Sequence, residues 1–139
     1  IWHSNPVAMV PSSHPLSRRD FLVVEDFADE KLIFFEKGFS AYHDKLQEEM
    51  RRAVPSIRFE VIKSSSEFQL GVQFDNCLTI CPGVYPKASE TYRLIPLKGE
   101  MFGPIPISIV TRPQQSSFQD ALLSIAQKAM DEVAGEPVF

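Results

Sequence analysis

The sequence predicts an α/β fold with a largely parallel sheet, and three observations point there. Short apolar runs alternate with segments of helical period along the 139 residues. The runs are apolar at consecutive positions, as strands covered on both faces are, where a one-sided antiparallel sheet would alternate apolar and polar. Breaks rich in Pro, Gly and Ser separate them at intervals suited to strand and helix units.

PVAMV (6–10) reads as the first strand, buried on two faces. SSHPLSRRD (12–20) holds too much Ser, Pro and charge for a core element; its His-Pro-Leu trio is open to three readings, a metal-site fragment, a catalytic loop or that strand's exit. KLIFFEK (31–37) is a second buried strand, through Leu32, Ile33, Phe34 and Phe35. From Phe39 the period changes: Phe39, Tyr42, Leu46, Met50 and Ala53 share one face, and charged residues fill the other. This amphipathic helix ends before Pro55. SIRFEVI (56–62) alternates Ile57, Phe59 and Val61 against Arg58 and Glu60, a strand with one wetter side.

Ser64 with Glu67 three residues on forms a capping box, which predicts a short helix carrying Phe68, Leu70 and Val72. CLTIC (77–81) is another buried strand, stopped by Pro82 and Gly83. TYRLIPL (91–97) and IPISIVTR (105–112) read as further strands, with a joint around Gly99, Gly103 and Pro104. Ser116 and Gln119 cap a last helix with Phe118, Leu122, Ile125, Ala129 and Val133 on one face.

Composition excludes several function classes. A chain that is 44% hydrophobic, with 11 Phe, buries the core of one ordinary domain. A formal net charge of −4 argues against a phosphate-gripping surface, so this chain alone is not expected to hold DNA or RNA. No run approaches the roughly 20 apolar residues that span a bilayer, so no membrane partner is expected. Cys77 and Cys81 on one strand would lie about 13 Å apart at about 3.3 Å per residue, beyond disulfide reach, which suggests free thiols in a reducing cytoplasm. The chain opens on Ile1 and shows no signal peptide, so it is expected to be a piece of something longer.

Chemistry-bearing motifs are sparse. His3, His14 and His43 have no spacing that sets two on one face of an element, so neither a metal nor another cofactor is expected. The chain lacks a nucleophile elbow, a zinc-protease helix, a phosphate loop and a dinucleotide loop, and no catalysis is expected. Two loops stand out. In open parallel sheets ligands bind outside the carboxyl ends of strands, where helix N-termini present free amides. Lys37, Gly38, Phe39 and Ser40 follow one strand, with Phe35 at its end, and Lys63, Ser64, Ser65 and Ser66 follow another. Together they offer two ammonium groups, hydroxyls and amides suited to a carboxylate or other small anion. The plain alternative is that the serines cap helices and the lysines are solvated.

The order of these motifs resembles the C-terminal effector-binding region of LysR-type transcriptional regulators. The resemblance begins at VAMVPSSHPLSRRDFLVVEDFADEKLIFF, continues through SIRFEVIKSSSEFQLGV and closes with LIPLKGEMFGPIPISIVTRPQQSSFQDALLSIAQKA. No single motif is specific; their order across nearly the whole chain carries the likeness. One segment departs from the family, with Asp75 and Cys77 where glycines are usual. Asp tolerates a left-handed backbone better than most residues and Cys does not, so the local turn, or a ligand's approach to it, is expected to differ.

The resemblance implies a type II periplasmic-binding-protein-like subdomain, a mixed, largely parallel sheet flanked by helices. Residues 1–103 would form the second effector subdomain, and 104–139 a return strand and helix that belong to the first. It also implies a cytoplasmic sensor for a small, anionic metabolite, touching DNA only through an N-terminal helix-turn-helix outside this chain. His14 would be structural. The apolar face of the last helix would fold back on its own domain or pair with a second copy, so a homo-oligomer is expected. A solute-binding protein of a transport system is the first alternative, and a small enzyme using His14 or Ser64 to Ser66 the second.

Overall fold

A computed structural model of the chain describes residues 2–64, 67, 76–83, 90–108 and 117–135. Among these described residues seven strands and two long α-helices follow in order: β1 (Trp2–Ser4), β2 (Pro6–Pro11), β3 (Lys31–Phe35), α1 (Ala41–Ala53), β4 (Arg58–Ile62), β5 (Thr79–Pro82), β6 (Tyr92–Pro96), β7 (Ile105–Ile107) and α2 (Ser117–Gly135). Two 3-10 turns, Pro15–Arg18 and Val24–Phe27, lie between β2 and β3.

β2 sits between β5 and β6 and runs antiparallel to both. β3 and β4 form a parallel pair. A parallel bridge from Leu32 to Leu78 joins the two ladders, with Ile33 N–H donating to Leu78 O at 2.8 Å and Leu78 N–H to Lys31 O at 2.9 Å. The layer therefore runs β4, β3, β5, β2, β6. β3, β4, β5 and β6 all point one way and only β2 is reversed. The α/β class and the mixed sheet are as the sequence predicts, but the parallel share is smaller than expected. One reversed strand in an interior position converts both of its ladders to antiparallel, and element order carries no record of that.

Continuous burial on both faces follows from the alternation along each strand. Ala8, Val10, Leu32, Phe34, Leu78, Ile80 and Ile95 point to one side, where Leu46 and Met50 of α1 meet them with Leu22, Phe27, Ile57 and Phe102. Val7, Met9, Ile33, Ile62, Cys77, Cys81 and Leu94 form a second cluster on the other. Both thiols are buried and outside any disulfide, and burial pushes Cys81 up to about 12.

Four local readings need correction. Trp2–Ser4 is a strand the sequence did not suggest, pairing antiparallel with β7. Its two-stranded ladder groups residues 2–4 with the segment after Gly103. In β4 the buried residue is Ile62 and Val61 is exposed, because beyond Phe59 the edge strand runs out from under α1. Phe39 precedes the helix and is exposed; Ser40 is the N-cap. None of the described side chains of α2 is buried, so its apolar face, Phe118, Leu122 and Ile125, does not fold back on this unit.

The helix predicted after Ser64, with Phe68, Leu70 and Val72, lies outside the described residues, as do Ser116, residues 109–112 of the last predicted strand and Asp75. The left-handed position in the departing segment is Asn76, at φ 55°, a residue type that tolerates it; Cys77 is not in that region. Two expectations follow. Leu32→Ala, in the centre of the layer, should cost about 2–5 kcal/mol in urea unfolding, while Val61→Thr stays within about 0.5 kcal/mol. Cys81 should resist thiol reagents at pH 8 in the native chain and react once urea unfolds it.

Candidate functional site

The strand directions place the carboxyl ends of β3, β4, β5 and β6 on one edge of the layer. Gly83 N–H, just past β5, donates to Asn5 O at 2.9 Å, so the chain also passes from β1 into β2 at this edge. The stretch after β2 lies at the opposite edge, where Ser12 N–H reaches Thr91 O at 3.0 Å, ahead of β6. His14 is there, 5% exposed. Its Nδ1 accepts from Leu16 N–H at 3.1 Å, which leaves Nε2–H to donate to Glu30 Oε2 at 2.8 Å. It ties a turn to the entry of β3 and is remote from the carboxyl edge.

Parallel register brings the two predicted loops together. Phe35 lies opposite Ile62, and Glu36 N–H donates to Ile62 O at 3.1 Å, so Glu36 and Lys63 leave the layer side by side. Lys37 is exposed, and Gly38, at φ +95°, makes the turn into α1. Phe39 N–H donates to Glu36 O at 3.2 Å, and its ring stacks on Phe35 at 4.4 Å between centroids, 19° between planes. Lys63 and Ser64 are exposed on the neighbouring loop; Ser65 and Ser66 lie outside the described residues.

Carboxylates of the chain already hold two of the amides that an anion would use. Asp44 Oδ2 accepts from Gly38 N–H at 2.8 Å, and Glu67 Oε2 from Lys63 N–H at 2.7 Å. Glu67 N–H returns a bond to Ser64 Oγ at 3.3 Å, so the predicted capping box is formed with its acid reaching one residue further back. Ser40 is likewise engaged. Its Oγ accepts from His43 N–H at 3.4 Å and lies 2.9 Å from His43 Nδ1. His43 Nε2 faces Ile80 O at 3.1 Å, and a carbonyl only accepts, so Nε2 carries the proton and Nδ1 takes the Ser40 hydroxyl proton. What remains for a ligand is the two ammonium groups, the Ala41 and Tyr42 amides of α1's first turn and the Phe39 ring.

Sequence reasoning set His43 aside for want of a second metal ligand and passed over Asp44. Both stand within four residues of Ser40, where the first helical turn places an N-cap partner and favours an acid, and that spacing was the available signal. Among the described residues no group of three His, Cys, Asp or Glu gathers to hold a metal, and no described helix is long and apolar enough to cross a membrane. An open groove of about 750 Å³ lies elsewhere, between α1 and the turn at Glu100–Gly103; Tyr42 O–H donates to Gly103 O there at 2.7 Å. None of the predicted residues lines it.

Burial holds His43 below its ordinary 6.5, with the Ile80 carbonyl and the Asp44 carboxylate pulling the other way. The fold thus prefers the neutral ring, and unfolding takes up a proton once the pH drops below about 6.5. The stabilisation is complete above that pH and is lost as the pH falls toward the folded-state value. The urea midpoint should therefore drop between pH 7 and pH 5, and drop less in His43→Gln.

No family model matches the sequence, and no curated protein does. Solved structures do. The chain is similar to the regulatory domain of CcmR from Synechocystis PCC6803, solved in complex with 2-PG, at TM-score 0.62 and 16% identity over 91% of this chain and 63% of that one. It is similar to HinK, a LysR family transcriptional regulator from Pseudomonas aeruginosa, at TM-score 0.65 and 14% identity, covering 91% of this chain and 45% of that one. It is also similar to the BenM effector binding domain, solved with its effector benzoate, at TM-score 0.61 and 13% identity over 98% and 64%. The chain spans less than two thirds of the length of each. At these identities the likeness is one of fold: the chain folds as part of the regulatory and effector-binding domains named above do, an α/β unit.

Proposed function

We propose that the chain is effector-sensing machinery of a LysR-type regulator, and that the carboxyl edge of its sheet holds one wall of the effector site. The observation that carries this reading is the Phe35–Ile62 register, which sets the Lys37 to Ser40 loop beside Lys63 and Ser64 at the edge where the chain also enters and leaves. Lys37 and Lys63 would meet a small anionic metabolite, and the first-turn amides of α1 would add donors. CcmR and BenM, with the same fold, are solved with small molecules bound, which supports a binding role. A solute-binding protein would share the fold, but the similar structures named above are regulators.

The unit from Pro6 to Phe102 would be the second effector subdomain, and β7 with α2 would belong to the first. The β1–β7 ladder supports a boundary at Asn5 and Gly103. Binding would bias a conformational equilibrium read by a DNA-binding domain outside this chain, in the cytoplasm. Phe118, Leu122 and Ile125, all more than half exposed, would seat on the first subdomain in an intact regulator and would pair copies of this chain alone.

Two measurements test this. In a titration with small carboxylates followed by amide NMR, residues 35–40 and 63–64 should shift together. Lys37→Ala should weaken binding about two- to fivefold, and Asp44→Asn, which removes a like charge, should tighten it by a similar factor. Shifts confined elsewhere would refute the site. In sedimentation, association of the chain should depend on concentration and vanish in Ile125→Glu; a monomer at all concentrations would refute pairing through α2.

A further inference from the structure

Phe39 has no role in holding an anion, yet it is built into the candidate site with more care than a solvent-exposed ring requires. It is 69% exposed. A single exposed apolar residue is ordinary, but this one is fixed. Its amide is bonded to Glu36 O, and the preceding glycine's amide is clamped by Asp44. Beneath it Phe35 is rooted against the cluster of Ile33, Ile62 and Cys77. The two rings lie 4.4 Å apart and nearly parallel, so Phe35 covers one face of a Phe39 ring that is otherwise mostly exposed. Other rings near the surface carry a cation: Lys98 Nζ lies 4.1 Å from the Phe21 centroid, and the Arg51 guanidinium 5.1 Å from that of Phe59. Among the described residues nothing of the kind covers Phe39.

We infer that the ligand of this edge is a planar unsaturated ring bearing a carboxylate, an aromatic or conjugated cyclic acid. Its ring extends the Phe35–Phe39 stack by one layer, and Lys37, two residues before Phe39, meets its charge. The inference deepens the anion-binding reading above and rests on it. Offset stacking rewards a flat π-face beyond the area it buries, whereas a puckered saturated ring of equal charge and similar size gains only burial. The stack is also rigid before the ligand arrives, so little ordering is needed on binding.

The test compares benzoate with cyclohexanecarboxylate on the chain and on Phe39→Leu, with affinities taken from amide NMR titrations. Because Phe39 is exposed, the variant should fold; its unligated spectrum checks this. Benzoate should bind about three- to tenfold more tightly than the saturated acid, and shift Phe35 and Phe39 most. In Phe39→Leu that preference should vanish, with benzoate losing more affinity than the saturated acid. Equal affinities in the parent chain, or a preference that survives Phe39→Leu, would overturn the planar-ring inference and leave the anion site standing. Failure of both acids to perturb residues 35–40 and 63–64 would overturn the anion reading, and this inference with it.

Discussion

The parallel contact between β3 and β4 is the constraint on which the rest depends. Two strands that run the same way cannot be joined by a hairpin; the chain must cross over, and α1 is that crossing. The crossing seats Leu46 and Met50 on one face of the sheet and so closes half of the core. Because the register is fixed at Phe35 and Ile62, the same pairing sets both following loops at one edge. A one-residue slip would turn Leu32 and Phe34 to the wrong face and part Glu36 from Ile62. Core and candidate site are therefore specified by one ladder.

The reversed strand β2 completes the arrangement. It enters at the carboxyl edge from the β1–β7 ladder, and it leaves at the far edge through the His14 turn. The β1–β7 ladder thus adjoins the side where the loops gather, and the His14 turn lies on the other. A rigid layer carrying the candidate loops at the edge where β1 leads into β2 suits the proposed sensor, since anything closing over that edge would also bear on β1 and β7. The capped state of the loops fits this. Asp44 and Glu67 keep the amides satisfied without a ligand, so the loops hold their geometry in water.

The two-faced burial of PVAMV and KLIFF was legible because consecutive apolar residues have no other use in a strand of that length, and both runs are strands. The amphipathic period found α1, and Pro55 its end. The reversal of β2 was not legible, since pairing direction depends on where the chain returns in space. β1 was missed because Trp2, His3 and Ser4 form no apolar run, and their strand exists only through its partner β7. Val61 is exposed although it shares a face with Ile57 and Phe59, because period two fixes alternation but not how far along the strand the helix covers that face. At the candidate site the residue types were legible, and so was the placing of both loops after strands. Their occupation by Asp44, Glu67 and His43 was not, because a hydrogen bond to a loop amide leaves no periodic mark.

The adjacency of the two loops can be measured directly. Spin labels at Lys37→Cys and Lys63→Cys would be attached in the native chain, where Cys77 and Cys81 are buried. Neighbouring strands lie about 4.8 Å apart, so the labels should sit on the order of 10–15 Å from each other and broaden the spectrum strongly. An unbroadened spectrum, matching the sum of the two single-label spectra, would mean that the loops do not leave the sheet together, and would contradict the account at its base.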